Sequence, residues 1–406
     1  MLNRRSILKR LSALPFLAGV AGCVPGRLSR SKPVHGGHRD YSKELGVRTF
    51  INAAGTYTAM TASLMPDEVM DAMQYASREF VMLDELQDKV GARIASLVRC
   101  EAATVTSGCF SAITLGLAGV LTGLDAQKTA RLPHLEGSGM KTEVILQKAH
   151  NIGYNRALTN CGVRLVEVET AEELDAAINE NTAMLWFLNA NTYQGLITPE
   201  AFVALGKKHN VPTMNDCAAD VPPVENLWKY TQMGFDLVCF SGCKAIKGPQ
   251  SAGLLLGRKD LIAAARLNAP PRANIGRGMK VNKEEILGML VALEIYLAKD
   301  HAREWKVWEA RVAHIGDAVQ PIGGITTRVD VPPVANHTPT LIISWDTAQV
   351  RTSGDALKEA MRRGNPSIEL AGGGPNSVNV TVWMLNPGQE QLVAARLREE
   401  LTRATT

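Results

Sequence analysis

The sequence predicts an α/β fold: a large domain with a mostly parallel sheet flanked by helices, then a small C-terminal α+β domain. Three observations carry this expectation. Seven apolar, β-rich runs lie at 103–106, 143–147, 163–168, 184–188, 211–215, 237–240 and 253–256, without the polar alternation of a half-exposed strand. Helical stretches separate most of them, as parallel connections require. From residue 325 onward the order changes to ββαββα.

The chain opens differently. Residues 1–22 of MLNRRSILKRLSALPFLAGVAGC carry Arg4, Arg5, Lys9 and Arg10 with no acid, then a run of apolar or small residues too short to span a bilayer. This is the layout of a secretory signal, and Arg4-Arg5-Ser6-Ile7-Leu8-Lys9 resembles the twin-arginine export motif. Val20-Ala21-Gly22-Cys23 resembles a lipobox, which implies a lipid anchor at Cys23. The expectation is an exported, periplasmic protein, anchored to the membrane only if Cys23 is acylated. Residues 23–45, polar with Gly and Pro, read as a tether.

Composition is globular, with 406 residues, 46% hydrophobic and 21% charged. Lys+Arg number 44 against 40 Asp+Glu; removing the four leader bases leaves 40 against 40. A neutral body argues against a nucleic-acid partner, which requires a basic face. Six cysteines remain beyond Cys23, at irregular spacing, with no Cys-x-x-Cys and no zinc-like pairing. They read as reduced core residues, and no metal site is expected.

The large domain is expected at 46–295. Pro66 with Asp67 and Glu68 suits a helix start. Leu86, Val90, Ile94 and Leu97 share one helical face. Thr170 to Glu173 is a capping box, and Thr198-Pro199-Glu200 is a further helix start. Residues 282–299 form a long amphipathic helix that bridges to the small domain at 296–406. There, strands at 325–329 and 340–345 precede a helix at 353–363. Strands at 367–370 and 378–383, joined by a Gly372-Gly373-Gly374 turn, precede a last helix at 388–402.

Ligands of an open parallel sheet bind beyond the carboxyl ends of its strands. Ser107-Gly108-Cys109 follows the first strand and opens an apolar helix, a place where free N–H groups suit a phosphate. His150 follows the second strand, placed to stack on a flat ring or act as a base. Asp216 closes the 211–215 run, where a buried acid needs a partner such as a protonated ring nitrogen. Ser241 and Lys244 follow the 237–240 run, and a lysine at the mouth of an apolar strand is a usable amine nucleophile. Taken singly, each has an ordinary structural reading. Together they are what pyridoxal 5'-phosphate requires: an amine for a Schiff base, an acid for the pyridine nitrogen and a helix start for the phosphate.

At these residues the chain resembles the fold type I pyridoxal-phosphate enzymes, in particular the group containing selenocysteine synthase (L-seryl-tRNA selenium transferase) and D-glucosaminate-6-phosphate ammonia-lyase. The matching stretches are INAAGTYTAM (51–60), LDELQDKVGARIA (83–95), EAATVTSGCFSA (101–112), VPTMNDCAAD (211–220), FSGCKAIKGPQSAGLLLG (240–257) and GRGMKVNKEEILGML (276–290). The resemblance implies Lys244 as the Schiff-base lysine, Asp216 at the pyridine nitrogen and His150 stacked on the ring. It implies Ser107, Gly108, Cys109 and Ser241 around the phosphate. It also implies a homodimer or higher homo-oligomer, with Arg277 to Lys280 a candidate to reach the other copy's cofactor or to be a solvated basic loop. Cys243 and Lys247 depart from the relatives' pattern, and 365–389 contains no arginine for a substrate carboxylate. Lys247 is expected to be a solvated or substrate-facing charge.

The function expected is a pyridoxal-phosphate-dependent lyase acting on a small-molecule amine, an amino acid or amino sugar acid, by Cα-proton abstraction and elimination. The alternatives are a selenium transferase-like or aminotransferase-like enzyme, or a lipoprotein that keeps the fold without catalysis. Ser241-x-x-Lys244 with Ser377-Val-Asn379 also matches part of the penicillin-binding serine-enzyme signature, but no Lys-Thr-Gly completes it.

Overall fold

The computed structural model describes residues 39–405. The leader at 1–22, Cys23 and most of the tether therefore lie outside the described residues. The chain divides into two compact units at residue 48. In the first, the tether region contains a short helix, Tyr41–Leu45, capped by the Asp40 side chain. The second unit, from Thr49 onward, holds the sheets and the cavity. Among the described residues no helix is long and apolar enough to cross a membrane.

The strands in chain order are β1 (Ile51–Ala53), β2 (Ala102–Thr106), β3 (Glu143–Gln147), β4 (Arg164–Val168), β5 (Thr182–Leu188) and β6 (Thr213–Asp216). They continue with β7 (Leu237–Ser241), β8 (Gly253–Gly257), β9 (Ile325–Asp330), β10 (Thr340–Trp345), β11 (Ile368–Leu370) and β12 (Ser377–Thr381). All seven apolar runs of the expected large domain are strands of one sheet, ordered β2-β8-β7-β6-β5-β3-β4. Only β8 runs antiparallel to its neighbours, β2 and β7. Strands β3, β5 and β8 are buried along their whole length, which accounts for their unbroken apolar runs.

Helices cover both faces, so the core falls into two clusters, one on each side of the sheet. The helix Gly108–Thr122 packs centrally on one side and is buried along most of its length. The caps read from sequence are present: Thr170 and Glu173 form a capping box, and Thr198 caps Pro199–His209. Asn282 and Glu285 form a further capping box at the start of Lys283–Ala298. A helix at His301–Val319 has no counterpart in the sequence reading; its buried side includes Trp308, Val312, Ile315 and Val319.

The C-terminal order ββαββα is observed, but its pairing differs from the simple reading. β10 lies between β9 and β12 in an antiparallel three-stranded sheet. β11 instead pairs in parallel with β1, Ile51 opposite Ile368, and an Ala371–Asn379 bridge just beyond its end joins it to β12. The Gly372–Gly373 turn therefore leads from one sheet to another. Both glycines have positive φ, and a Cβ on Gly373 would meet the Ser377 carbonyl at 2.1 Å.

Two contacts fix where the sheet ends sit. A Cβ on Gly253 would stand 2.7 Å from the Gly108 carbonyl carbon, so β8 approaches the start of the central helix as closely as a glycine permits. Farther along, Asp220 binds the C-terminal segment to the end of β6. Its Oδ1 accepts from Asn189 Nδ2 at 2.9 Å and from the Ala335 amide at 3.1 Å. The Asn336 amide donates to the Ala219 carbonyl at 2.7 Å. Asp220 is only 1% exposed and its Oδ2 has no partner. Burial pushes its carboxyl up to about 6, against the opposing pull of the Asn189 and Ala335 donors.

Replacing Gly253 by alanine is expected to destabilise the protein by about 1–3 kcal/mol, since backbone must move to admit the methyl group; denaturant unfolding measures this. Asp220 also sets a pH dependence. Between about pH 4 and 6 the folded chain holds a proton that the unfolded chain has lost, so acidification through this window favours the fold. The stability of Asp220→Asn relative to the parent should therefore rise by about 2–3 kcal/mol from pH 4 to pH 6 and stay level above it. Paired unfolding curves across pH test this.

Candidate active site

A cavity of about 640 Å³ opens at the carboxyl ends of β2, β6 and β7. Ser107, Gly108, Cys109, Asp216, Ser241 and Lys244 all line it, so the structure brings six of the seven expected site residues together.

The anion cradle follows from the local chain. Ser107 precedes the helix Gly108–Thr122, yet its side chain caps none of that helix's amides and pairs instead with Ser111 Oγ at 2.9 Å. No acid stands in the first turn. The helix's leading N–H groups and the positive end of its dipole are thus left for an anion. Gly108 has φ +81, which lets the backbone turn into the helix at this point.

Asp216 ends β6 with 5% exposure. Its Oδ1 accepts from the Ala218 amide at 3.0 Å and from Cys239 Sγ at 3.6 Å, the residue beside it on β7. Burial raises the Asp216 carboxyl above its ordinary range, opposed by the Ala218 N–H, the Lys244 charge and the Cys239 thiol. A cation at the cavity floor would reverse that balance. Cys109, Asp216 and Cys239 place their ligand atoms within 4.8 Å of one another. Burial pushes both thiols up, so they stand as neutral S–H groups, Cys239 donating to the carboxylate, rather than as the thiolates a metal needs.

Lys244 lies three residues beyond the end of β7 and is the sole lysine or arginine among the described residues lining the cavity. Ser241 Oγ and Cys243 Sγ lie 3.4 Å apart beside it, and the Cys243 carbonyl accepts from Ser63 Oγ at 2.6 Å. This holds the strand-to-lysine turn against the N-terminal segment. Lys247 departs from expectation: it neither lines the cavity nor stands in solvent. It sits half-buried at φ +59, with its ammonium pKa lowered by burial and then by the neighbouring Lys299 charge.

His150 also departs from expectation. The 3-10 turn Lys148–His150 carries its ring inward, fully buried, with its centroid 4.4 Å from that of Phe187 in an edge contact. Its Nδ1 accepts from the Leu188 amide at 3.2 Å, and burial lowers its pKa to about 4. It is outside the cavity lining, so a neutral core imidazole stands where a stacking ring was expected. The rings that do line the cavity are Tyr57, Phe110, Tyr154 and Trp383.

Sequence reasoning missed the far wall. Residues of the small sheet face the site across the cavity: Asp330 on β9, Thr340 and Ile342 on β10, and Asn379 and Thr381 on β12. Their signal was the alternation of these strands, whose other face is core. Arg362 and Arg363 lie outside the lining and pair with Glu359, and Arg362 also with Glu369.

Comparison with known proteins places this geometry. The chain is 28% identical to D-glucosaminate-6-phosphate ammonia lyase of Salmonella typhimurium (strain 14028s / SGSC 2262), over 88% of this chain and 96% of that protein. It is 29% identical to 5'-C-glycyluridine monooxygenase-decarboxylase of a Streptomyces species, over 90% and 93% of the two chains. A solved structure of D-glucosaminate-6-phosphate ammonia-lyase superposes with a TM-score of 0.79 at 27% identity, covering 91% of this chain and all of that one. Serine palmitoyltransferase of Sphingomonas wittichii shares the fold alone, with a TM-score of 0.56 at 14% identity and 88% of each chain covered. The L-seryl-tRNA selenium transferase family matches residues 50–309, well over half of the chain. The family and fold imply pyridoxal phosphate as cofactor. On this match the protein belongs to the L-seryl-tRNA selenium transferase family, with the architecture of fold type I pyridoxal-phosphate enzymes.

Proposed function

We propose that this protein is a pyridoxal-phosphate-dependent lyase that removes ammonia from an amino acid or amino sugar acid. One observation carries the reading: a buried carboxylate, a lysine and an uncapped helix N-terminus face a single cavity. The residues fit the cofactor. The amides at 107–109 and the Ser241 hydroxyl suit its phosphate, Asp216 suits its ring nitrogen and Lys244 its aldehyde carbon. When bound, the cofactor supplies an electron sink for a carbanion at the substrate Cα.

The chain's own groups do the rest. Asp216 holds a proton on the ring nitrogen, which keeps the sink cationic. Its Oδ1 is already engaged by Ala218 and Cys239, so Oδ2 is the oxygen left for that contact. Lys244 holds the cofactor in the resting protein. Once free, its Nζ is the base that takes the Cα proton and the acid that returns a proton to the departing β-hydroxyl. Loss of water gives an enamine, and its hydrolysis returns that water and releases a keto acid and ammonia.

The substrate carboxylate needs a cation beyond Lys244. Arg277 and Lys280 are exposed and lie outside the lining of their own cavity. Tyr57 and Tyr154 at the cavity are also exposed, at 54% and 65%. We read both facts as the mark of a homodimer in which a second copy covers the mouth and brings its Arg277 to the carboxylate. The exported, periplasmic location read from residues 1–22 fits this reading, since the twin-arginine route carries folded proteins and allows cofactor loading beforehand.

The purified parent protein should show the visible absorbance of a lysine-bound cofactor. Lys244→Ala should lose that band and reduce turnover by at least ~10²-fold. Asp216→Asn should keep a band but lose turnover by a similar factor, since a neutral amide cannot hold the ring proton. A Lys244→Ala spectrum unchanged from the parent's would refute the assignment.

A further inference from the structure

We propose that Asp330 is a specificity determinant that directs the site toward substrates whose end remote from the amine is uncharged and hydroxylated, and away from phosphorylated ones. This rests on the reading of the site given above, and it sets this chain apart from a relative named for a 6-phosphate substrate.

The far wall of the cavity is one face of the three-stranded sheet. Thr340 is opposite both Asp330 and Thr381, and Ile342 is opposite both Arg328 and Asn379, so these six residues share that face. The other face holds Leu341, Ile343, Val378 and Val380, all buried in the core. Asn336 and Thr338 extend the polar wall from the preceding loop. Hydroxyl and amide side chains both donate and accept, the pattern that matches sugar hydroxyls. Thr381 Oγ1 is buried without a hydrogen-bond partner, so one such group already lacks its complement.

Among its described residues, this wall offers a phosphate no unpaired cation. Asp330 lines the cavity, and Lys244, at the cofactor end, is the sole lysine or arginine among the described lining residues. Arg328, two residues along the same strand face, is engaged by the Asp330 carboxylate at 3.2 Å and is outside the lining. A phosphate monoester brings about −2 charges at neutral pH. Placed against the far wall it would meet neutral groups and the Asp330 carboxylate, which already occupies the Arg328 guanidinium, so the ester finds no cation of its own and lies near a like charge. Removing the Asp330 charge does two things at once: the repulsion disappears and Arg328 is released on the same face. One residue thereby decides whether Arg328 is available to an anion on this wall.

The test uses holoenzyme and two probes, D-glucosaminate and D-glucosaminate-6-phosphate, titrated against the visible cofactor band. The parent should bind the unphosphorylated acid at least tenfold more tightly. Asp330→Asn should narrow that ratio about tenfold, through tighter binding of the phosphate ester, with the band of the unliganded protein unchanged. Arg328→Ala, which leaves the acid unpaired, should widen the ratio. A parent that binds the phosphate ester equally or more tightly overturns the proposal, as does an Asp330→Asn ratio equal to the parent's. A protein that carries the band but responds to neither probe also overturns it, while leaving the reading of the cofactor site standing. A protein without the band overturns the reading of the site itself.

Discussion

Asp216 ends a strand whose four residues are all buried, in the interior of a seven-stranded sheet. An ionised carboxylate in such a place carries a desolvation cost that hydrogen bonds offset only in part. Here the offset comes from one amide, one thiol and the charge of Lys244, and burial still prevails. The rest of the site is arranged around that imbalance. On the proposed function, a protonated ring nitrogen placed against Asp216 would supply the missing positive charge, and the uncapped start of Gly108–Thr122 would take the phosphate at the other end of the same ligand.

The polar shell beyond Asp216 links this cofactor end to the substrate end. Asn189 donates both to Asp220 and to the Tyr230 hydroxyl, and Asp220 accepts from Ala335 in the loop that brings Pro332, Asn336 and Thr338 to the cavity. Four residues after Asp216, the same chain segment therefore grips the far wall of the cavity. A displacement of the loop is felt at Asp220, and Asp220 in turn lies close enough to Asp216 and Lys244 for their charges to act on it.

How much of this was legible in the sequence follows from which contacts are local. The seven sheet strands were readable because burial on both sides leaves apolar runs, and six residues that line the cavity were readable because they stand immediately after those runs. Lys148-Ala149-His150 satisfies the same positional rule, but a single 3-10 turn takes the ring into the core against Phe187, and no spacing in the sequence encodes that rotation. His301–Val319 escaped notice because its apolar positions are interrupted by charged residues on the outer side. The pairing of β1 with β11 joins residues more than three hundred positions apart, where sequence pattern has no reach. The substrate wall was visible only as ordinary strand alternation. Thr340 and Ile342 read as the side of β10 that faces away from the core, and only the tertiary arrangement turns that side toward a ligand.

This division has a consequence for how such a site changes. The cofactor end consists of strand termini and a helix start packed so closely that Gly253 and Gly108 approach within the space of a missing methyl group. A substitution there disturbs packing and the cradle together. The substrate end is the open face of a small sheet whose stability resides in its other face, through Leu341, Ile343, Val378 and Val380. Exchanging Asp330, Thr340 or Asn379 alters the charge and hydrogen bonding presented to a substrate while leaving those core contacts in place. On the proposed reading, chemistry would be held by the rigid sheet and selectivity by a surface whose exchange leaves the core contacts in place. Such an arrangement would let a cavity suited to the family's cofactor carry a far wall whose described residues offer no unpaired cation to a phosphorylated substrate.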